Sequence, residues 1–195
     1  MRKRWSSALK SGLLAVAVLA GTTLIARASV SPAPDMPAEW FWHDDAAQAK
    51  QHADLIGKPA PKIETSKWFQ GEVKADDMKD KVVVIDLWAT WCGPCRAAMP
   101  HTNEMAAKYK DQGVVVFSIC SSGEQKDAED FIKEAKLTLP MAWDKMNGDS
   151  GTTFTAFKGQ WYPTYVLIDR KGTVRAIGLT SDHVEDALKK ILAEK

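Results

Sequence analysis

The chain has 195 residues, 45% hydrophobic and 26% charged, an ordinary globular composition that excludes a wholly disordered, collagen-like or coiled-coil polypeptide. Its 26 Lys and Arg against 25 Asp and Glu leave a net charge of +1, so no basic excess points to nucleic acid. Three cysteines are too few for a disulfide scaffold, and the length suits one domain plus an extension.

The charge is uneven. Residues 1–28 hold Arg2, Lys3, Arg4, Lys10 and Arg27 and no acid, which leaves 21 basic against 25 acidic residues in the remainder. Residues 1–10 read as a basic n-region, an apolar run follows, and Ala26-Arg27-Ala28 has the small-x-small form of a cleavage site. This is the layout of a secretory signal peptide, with cleavage expected after Ala28. The rival reading is an uncleaved membrane anchor, although the 15 apolar residues from Gly12 to Ala26 fall short of the ~20 that span a bilayer. Either way the body is expected to be exported, to the periplasm or cell envelope.

Residues 29–37 form a Pro-rich linker. Trp40-Phe41-Trp42 reads as an aromatic clip that pins this extension to the domain, with a partner-docking patch as the alternative, and residues 44–56 as a short helix ended by Gly57 and Pro59. The expected layout is therefore leader 1–28, linker and short helix 29–54, and one domain over 55–195. Within the domain, residues 62–65 suggest an edge strand. Residues 82–88 (Val-Val-Val-Ile-Asp-Leu-Trp) form a continuous apolar run, as in a strand buried on both faces. Residues 94–110 read as a helix and 113–120 as a second buried strand. Ser122 and Gln125 suggest a capping box for a helix through 136, burying Ala128, Phe131, Ile132 and Ala135. A short strand at 139–143 and a short helix at 152–157 follow. Strands 164–169 and 173–178 flank the turn Asp169-Arg170-Lys171-Gly172, and Asp182 with Glu185 suggests the start of a last helix through 192. Early parallel strands and a late hairpin imply an α/β fold with a mixed central sheet and helices on both faces.

Cys92-Gly93-Pro94-Cys95 directly follows the buried strand and opens a helix, the context in which Cys-x-x-Cys reads as a redox dithiol. Residues three apart share a helical face, so the two sulfurs can come within bonding range. Pro94 suits the first turn, where its missing N–H costs nothing. Cys92 at the helix N-terminus gains a lowered pKa and is the expected attacking thiolate, with Cys95, one turn inside, resolving the mixed disulfide. A zinc site would need four ligands, but the other cysteine, Cys120, stands alone and His101 is isolated in a helix. Covalent haem would want His where Arg96 stands, and a four-residue loop is a weak structural staple. No metal and no organic cofactor is expected; the redox carrier is the Cys92–Cys95 pair.

The stretch Asp86-Leu87-Trp88-Ala89-Thr90-Trp91-Cys92-Gly93-Pro94-Cys95 resembles the active-site strand and motif of the thioredoxin superfamily. Pro100 matches the proline that kinks that family's active-site helix, and Tyr162-Pro163-Thr164 matches its cis-proline loop. The spacing between Cys95 and Pro163, the exported leader and the lead-in Gly57-Lys58-Pro59-Ala60-Pro61 are similar to the TlpA/ResA branch of exported thiol–disulfide oxidoreductases, with residues 122–157 as its βα insert. The resemblance implies a thioredoxin fold and thiol–disulfide exchange with disulfide-containing exported clients, in the reductant direction, supplied by an upstream membrane-bound thiol donor. It implies a client-facing surface of Trp91, Gly93, Pro94, Tyr162, Pro163 and Thr164. Two departures stand out: Ala98 lies where the branch often has an acid, and Asp86 where it tends to have Asn. Asp86 instead matches the buried acid of ordinary thioredoxins, where a raised pKa lets it take the Cys95 proton. An oxidase or isomerase on the same fold, a peroxidase and a redox-inert binding domain remain alternatives.

Cys120 is expected to be a small buried hydrophobe rather than a third redox thiol. His43, His52, His101 and His183 lack metal-ligand spacing and read as surface or packing residues. Trp88 is expected to pack and Trp91 to shape the surface.

Overall fold

A computed structural model describes residues 36–42 and 46–194, so the leader, most of the linker, His43 and the expected helix start at 44 lie outside the described residues. In chain order the elements are α1 (Ala46–Ala53), β1 (Thr65–Gln70), α2 (Ala75–Met78), β2 (Val82–Ala89), α3 (Gly93–Tyr109), β3 (Val114–Ser122), α4 (Gln125–Glu134), β4 (Met141–Asp144), β5 (Met146–Asn147), β6 (Ser150–Gly151), α5 (Thr152–Ala156), β7 (Thr164–Ile168), β8 (Val174–Leu179) and α6 (Val184–Ala193). Six strands form one sheet in the order β1-β4-β3-β2-β7-β8. The β2–β3 and β3–β4 pairs are parallel, and β1–β4, β2–β7 and β7–β8 are antiparallel. This is the expected mixed sheet.

β2 lies near the centre of the sheet, and every one of its residues is buried. That accounts for its unbroken β-branched run, because both faces must be apolar. Val82 and Val84 pack on one face with Met105 and Tyr109 of α3 and Leu188 and Ile191 of α6. Farther along that face Trp88 joins Met99 of α3 and Phe131 and Ile132 of α4. Val83, Ile85 and Leu87 pack on the opposite face with Phe154 and Phe157. At the edge, β1 packs its half-buried Trp68 against Phe117 on one side of the sheet and its half-buried Phe69 against Trp143 on the other.

Several local expectations need correction. The edge strand starts at Thr65 rather than occupying residues 62–65, because pairing with β4 begins at Thr65–Asp144 and runs to Gln70–Met141. Ser122 is the last residue of β3 and does not cap α4; Glu124 holds the N-cap position without a side-chain cap. Asp182 lies in a single 3-10 turn (Ser181–His183), and His183 precedes α6. Glu185 is instead drawn toward α3 by Lys108 and Tyr109 at 2.6 and 2.7 Å. The helix at 152–157 is present as α5, but its cap is remote. The buried Asp144 carboxylate accepts from the Thr153 and Phe154 N–H groups (2.9 and 3.0 Å) and from the Ser121 hydroxyl (2.8 Å). The short α2 and the β5–β6 hairpin carry no signal that the sequence reading picked up.

The aromatic clip is real. Phe41 bridges to Leu179, Trp42 N–H donates to the Gly178 carbonyl (2.9 Å), and Thr180 N–H donates to the Trp40 carbonyl (2.8 Å). The extension thus continues the sheet beyond β8, and the Trp40 ring stacks on His183 with centroids 5.1 Å apart. Gly178 has φ +82°, and a β-carbon there would press on the His52 ring of α1.

Candidate active site

The site grows from the carboxyl end of β2. Thr90 N–H is tied to the Ser122 carbonyl and Cys92 N–H to the Ala89 carbonyl, 3.2 and 3.1 Å, which fixes the loop between strand and helix. Gly123 (φ +106°) allows the turn after β3 to crowd against Thr90, where any β-carbon would collide. Cys92 is the N-cap of α3, Pro94 falls in the first turn, and Pro100 lies inside the helix. Cys92 and Cys95 are joined in a disulfide, with Cα atoms 5.3 Å apart. The Cys92 sulfur also accepts the Cys95 N–H at 3.2 Å. That donor is one of the orphan N–H groups of the first helical turn, so this sulfur is placed where a negative charge would be held. Both cysteines are almost fully buried, whereas Gly93 and Pro94 are exposed.

Asp86 is fully buried in the middle of β2, with Ser118 of β3 and Tyr165 of β7 as its register partners. Strand alternation places it on the same face as Val84 and Trp88, beneath α3. Its Oδ2 accepts the Ser118 hydroxyl at 3.3 Å, and Oδ1 has no hydrogen-bond partner among the described residues. Burial pushes its pKa up to about 7, against the smaller lowering effect of Ser118. The Ser118 hydroxyl also lies 3.5 Å from the Met99 sulfur, one helical turn beyond Cys95. Tyr165, whose hydroxyl meets Thr102 at 3.0 Å, is held protonated by burial first and by the nearby Asp86 second.

Cys120 is fully buried beside Trp88 across the β2–β3 pair. Burial drives its thiol up to about 12, so it behaves as a small apolar side chain. Trp88 is buried against Phe131, whereas Trp91 is 66% exposed. The Trp91 indole donates to the Ser122 hydroxyl (3.1 Å), which is what occupies the group expected to cap α4. Its ring meets Tyr162 edge-on at 5.6 Å, and Tyr162 stacks on Phe154 at 4.4 Å. The Tyr162–Pro163 bond is cis. Thr164, buried at the start of β7, closes that turn by donating its hydroxyl to the Trp161 carbonyl at 2.7 Å.

The structure therefore brings together Cys92, Cys95, Trp91, Gly93 and Pro94 on one loop and helix. It packs Tyr162 of the cis-proline turn against Trp91, and sets Asp86 beneath the helix. Ser118, Phe154 and Trp161 were missed by the sequence reading. A polar residue in each of two adjacent buried strands, Asp86 and Ser118, was a usable signal for pairing them; Phe154 and Trp161 carried none. Among the described residues no group of three or more His, Cys, Asp or Glu could hold a metal ion.

Residues 56–177 match the AhpC/TSA family. The chain belongs to this family, within the thioredoxin-like superfamily. It is 34% identical over 139 residues to a thiol-disulfide oxidoreductase ResA of Bacillus cereus, covering 70% of this chain and 78% of that relative. Among solved structures, a putative thiol:disulfide interchange protein DsbE from Chlorobium tepidum is 30% identical with a TM-score of 0.56, over 69% of this chain and 99% of that one. A thiol-disulfide isomerase from Corynebacterium glutamicum shares the fold, with a TM-score of 0.63 at 23% identity over 70% and 97% of the two chains. The protein is a thiol–disulfide oxidoreductase of the ResA-like kind, and its dithiol pair is Cys92–Cys95.

Proposed function

We propose that this oxidoreductase works outside the cytoplasm, in the periplasm or cell envelope, as a reductant of disulfides in exported client proteins. The observation that carries the reading is the Cys92–Cys95 pair at the mouth of α3 with a buried, high-pKa carboxyl beneath it. In the reduced enzyme the Cys92 thiolate, held by the Cys95 N–H and the helix terminus, attacks one sulfur of the client disulfide. The client's other sulfur leaves as a thiolate. Cys95 then gives its proton to the Asp86 carboxylate and attacks the Cys92 sulfur. The second client sulfur leaves, and two electrons have passed to the client. The resulting Cys92–Cys95 disulfide is returned to the dithiol by an upstream thiol donor in the membrane. Trp91, Gly93, Pro94, Tyr162, Pro163 and Thr164 form the surface against which the client chain lies. No organic cofactor or metal takes part, because the electrons reside in the sulfur pair.

Export rests on residues 1–28, whose basic start and short apolar core serve as a signal peptide or an anchor, with residues 29–54 linking it to a domain over 55–195. Among the described residues no helix is long and apolar enough to cross a membrane.

The test is a Cys95→Ser variant expressed with its leader. It should accumulate mixed disulfides between Cys92 and envelope proteins, and the wild-type pair should have a reduction potential well on the reducing side of strong oxidants such as DsbA, which stands at roughly −120 mV. A potential close to that value would assign the oxidase direction. Absence of any Cys92-linked client would remove the reading.

A further inference from the structure

The N-terminal extension does more than tether. Backbone pairing along Trp40–Trp42 fixes Trp42 beside β8, next to the strand that follows the cis-proline turn. Trp42 is 43% exposed and, with Pro94, Trp161, Tyr162 and Pro163, lines an open cavity of about 310 Å³. Pro94 belongs to the Cys-Gly-Pro-Cys loop and Pro163 to the cis turn, so the cavity is continuous with the client-facing surface of the dithiol. All five lining residues are aromatic or proline, and none is charged. Three large hydrophobic side chains stand exposed among the described residues, Trp42, Trp91 and Met146, and the two tryptophans both belong to this part of the molecule. Clustered exposed aromatics mark a binding surface rather than packing. An uncharged aromatic wall selects a bulky apolar partner, because a charged or polar group would lose hydration there without a hydrogen bond in return. The stacking of Trp40 on His183 anchors the extension before any client arrives, which lowers the ordering cost of binding.

We propose that Trp42 is a specificity-determining residue, completing a subsite that takes a bulky apolar side chain, aromatic foremost, carried by the client polypeptide close to the cysteine that Cys92 attacks. This rests on the dithiol exchanging with client disulfides.

The experiment uses the full chain, reduced, and three disulfides: two cystine peptides identical except for Phe or Ser beside the reacting cysteine, and hydroxyethyl disulfide, which has no side chain to place. Wild type should favour the Phe peptide over the Ser peptide by roughly tenfold in kcat/KM, expressed in KM rather than kcat, a difference in the range one hydrophobic pocket contact supplies. Trp42→Ser should bring that ratio to within about twofold, and Trp42→Phe should retain most of it. Trp161→Ser, which removes a second wall of the cavity without touching the extension, should also erase it and so separates a lost subsite from a loosened extension. A wild type without preference, or a preference that survives Trp42→Ser, overturns the subsite. Self-association that Trp42→Ser abolishes, read by sedimentation, also overturns it by assigning the face to a second copy. If wild type exchanges with none of the three disulfides, the dithiol reading itself fails; if it exchanges with all three equally, only the subsite fails.

Discussion

Replacing Asp86 by Asn should stabilise the oxidised protein, and by an amount that depends on pH in a defined way. Asp86 is fully buried, one carboxyl oxygen has no partner among the described residues, and its pKa is raised from 3.8 to about 7. The fold therefore favours the protonated acid, which the unfolded chain does not. A group whose native pKa is raised contributes stability that is fully present below the unfolded pKa and is lost as pH rises to the native one. Here that window runs from about pH 4 to about pH 7. A shift of about three units, at 1.36 kcal/mol each, amounts to up to ~4 kcal/mol. Total stabilities are typically only 5–15 kcal/mol, so the effect is measurable. Asn is nearly isosteric and always neutral. Below pH 4 the two proteins should unfold at similar urea concentrations, and above pH 7 the variant should be more stable by a few kcal/mol with a flat difference. The oxidised form isolates the effect, since Cys92 and Cys95 do not titrate and the Cys120 thiol stays protonated to about 12. Glu185, lowered to about 2 by Lys108 and Tyr109, loses its contribution as pH falls below its ordinary value, but does so in both proteins and cancels. Urea denaturation between pH 4 and 8.5 reads the difference directly. Parallel curves with a pH-independent gap would refute a buried acid titrating near neutrality, and with it the proton-acceptor role for Cys95.

Ser118→Ala removes the hydroxyl that favours the Asp86 carboxylate; a hydrogen bond to a charged group is worth roughly 1.5–3 kcal/mol, so the pH step in mixed-disulfide resolution should move up by about one to two units, and an unmoved step in stopped-flow traces would dismiss Ser118 as a tuner. Iodoacetamide labelling of the reduced protein near pH 6 should modify Cys92 first and Cys120 last, because helix-terminus donors hold the first as a thiolate and burial keeps the second protonated; early label on Cys95 or Cys120 overturns the assignment of nucleophile. Asp144→Ala strips three buried donors of their acceptor and should cost at least ~3 kcal/mol in denaturant midpoint experiments; a loss under ~1 kcal/mol would show that α5 caps itself. Mass spectrometry of protein from the native host should find Ser29 as the first residue, whereas a membrane-bound chain retaining residues 1–28 would establish the anchor instead.

What the sequence made legible was what local chemistry decides. The run Val82–Ala89 could only be a strand covered on both faces, and Cys-Gly-Pro-Cys after it could only open a helix, because both depend on residue type and spacing. The misplaced caps failed for one shared reason. Ser122 and Asp182 have the right residues three positions later, but long-range partners won: Ser122 is the last residue of β3 and receives the Trp91 indole, and Glu185 is taken by Lys108 and Tyr109 of α3. A local cap is worth only ~1 kcal/mol, which a tertiary partner readily outweighs. The cap of α5 shows the converse, since Asp144 serves from the end of β4, beyond the reach of a capping-box pattern.

The same division runs through the site. The dithiol is legible because its chemistry lies within four residues, but its surroundings are assembled from afar. A relay of contacts runs from the Asp144 carboxylate through the α5 N-terminus to Phe154, from Phe154 by stacking to Tyr162, and from Tyr162 edge-on to Trp91 beside Cys92. Each link joins residues 8 to 71 positions apart, so no window of sequence contains two ends of the chain of contacts. The thiol chemistry is therefore set locally, by strand end and helix start, whereas the aromatic surface beside it is assembled by the end of β4, the short α5 and the cis-proline turn.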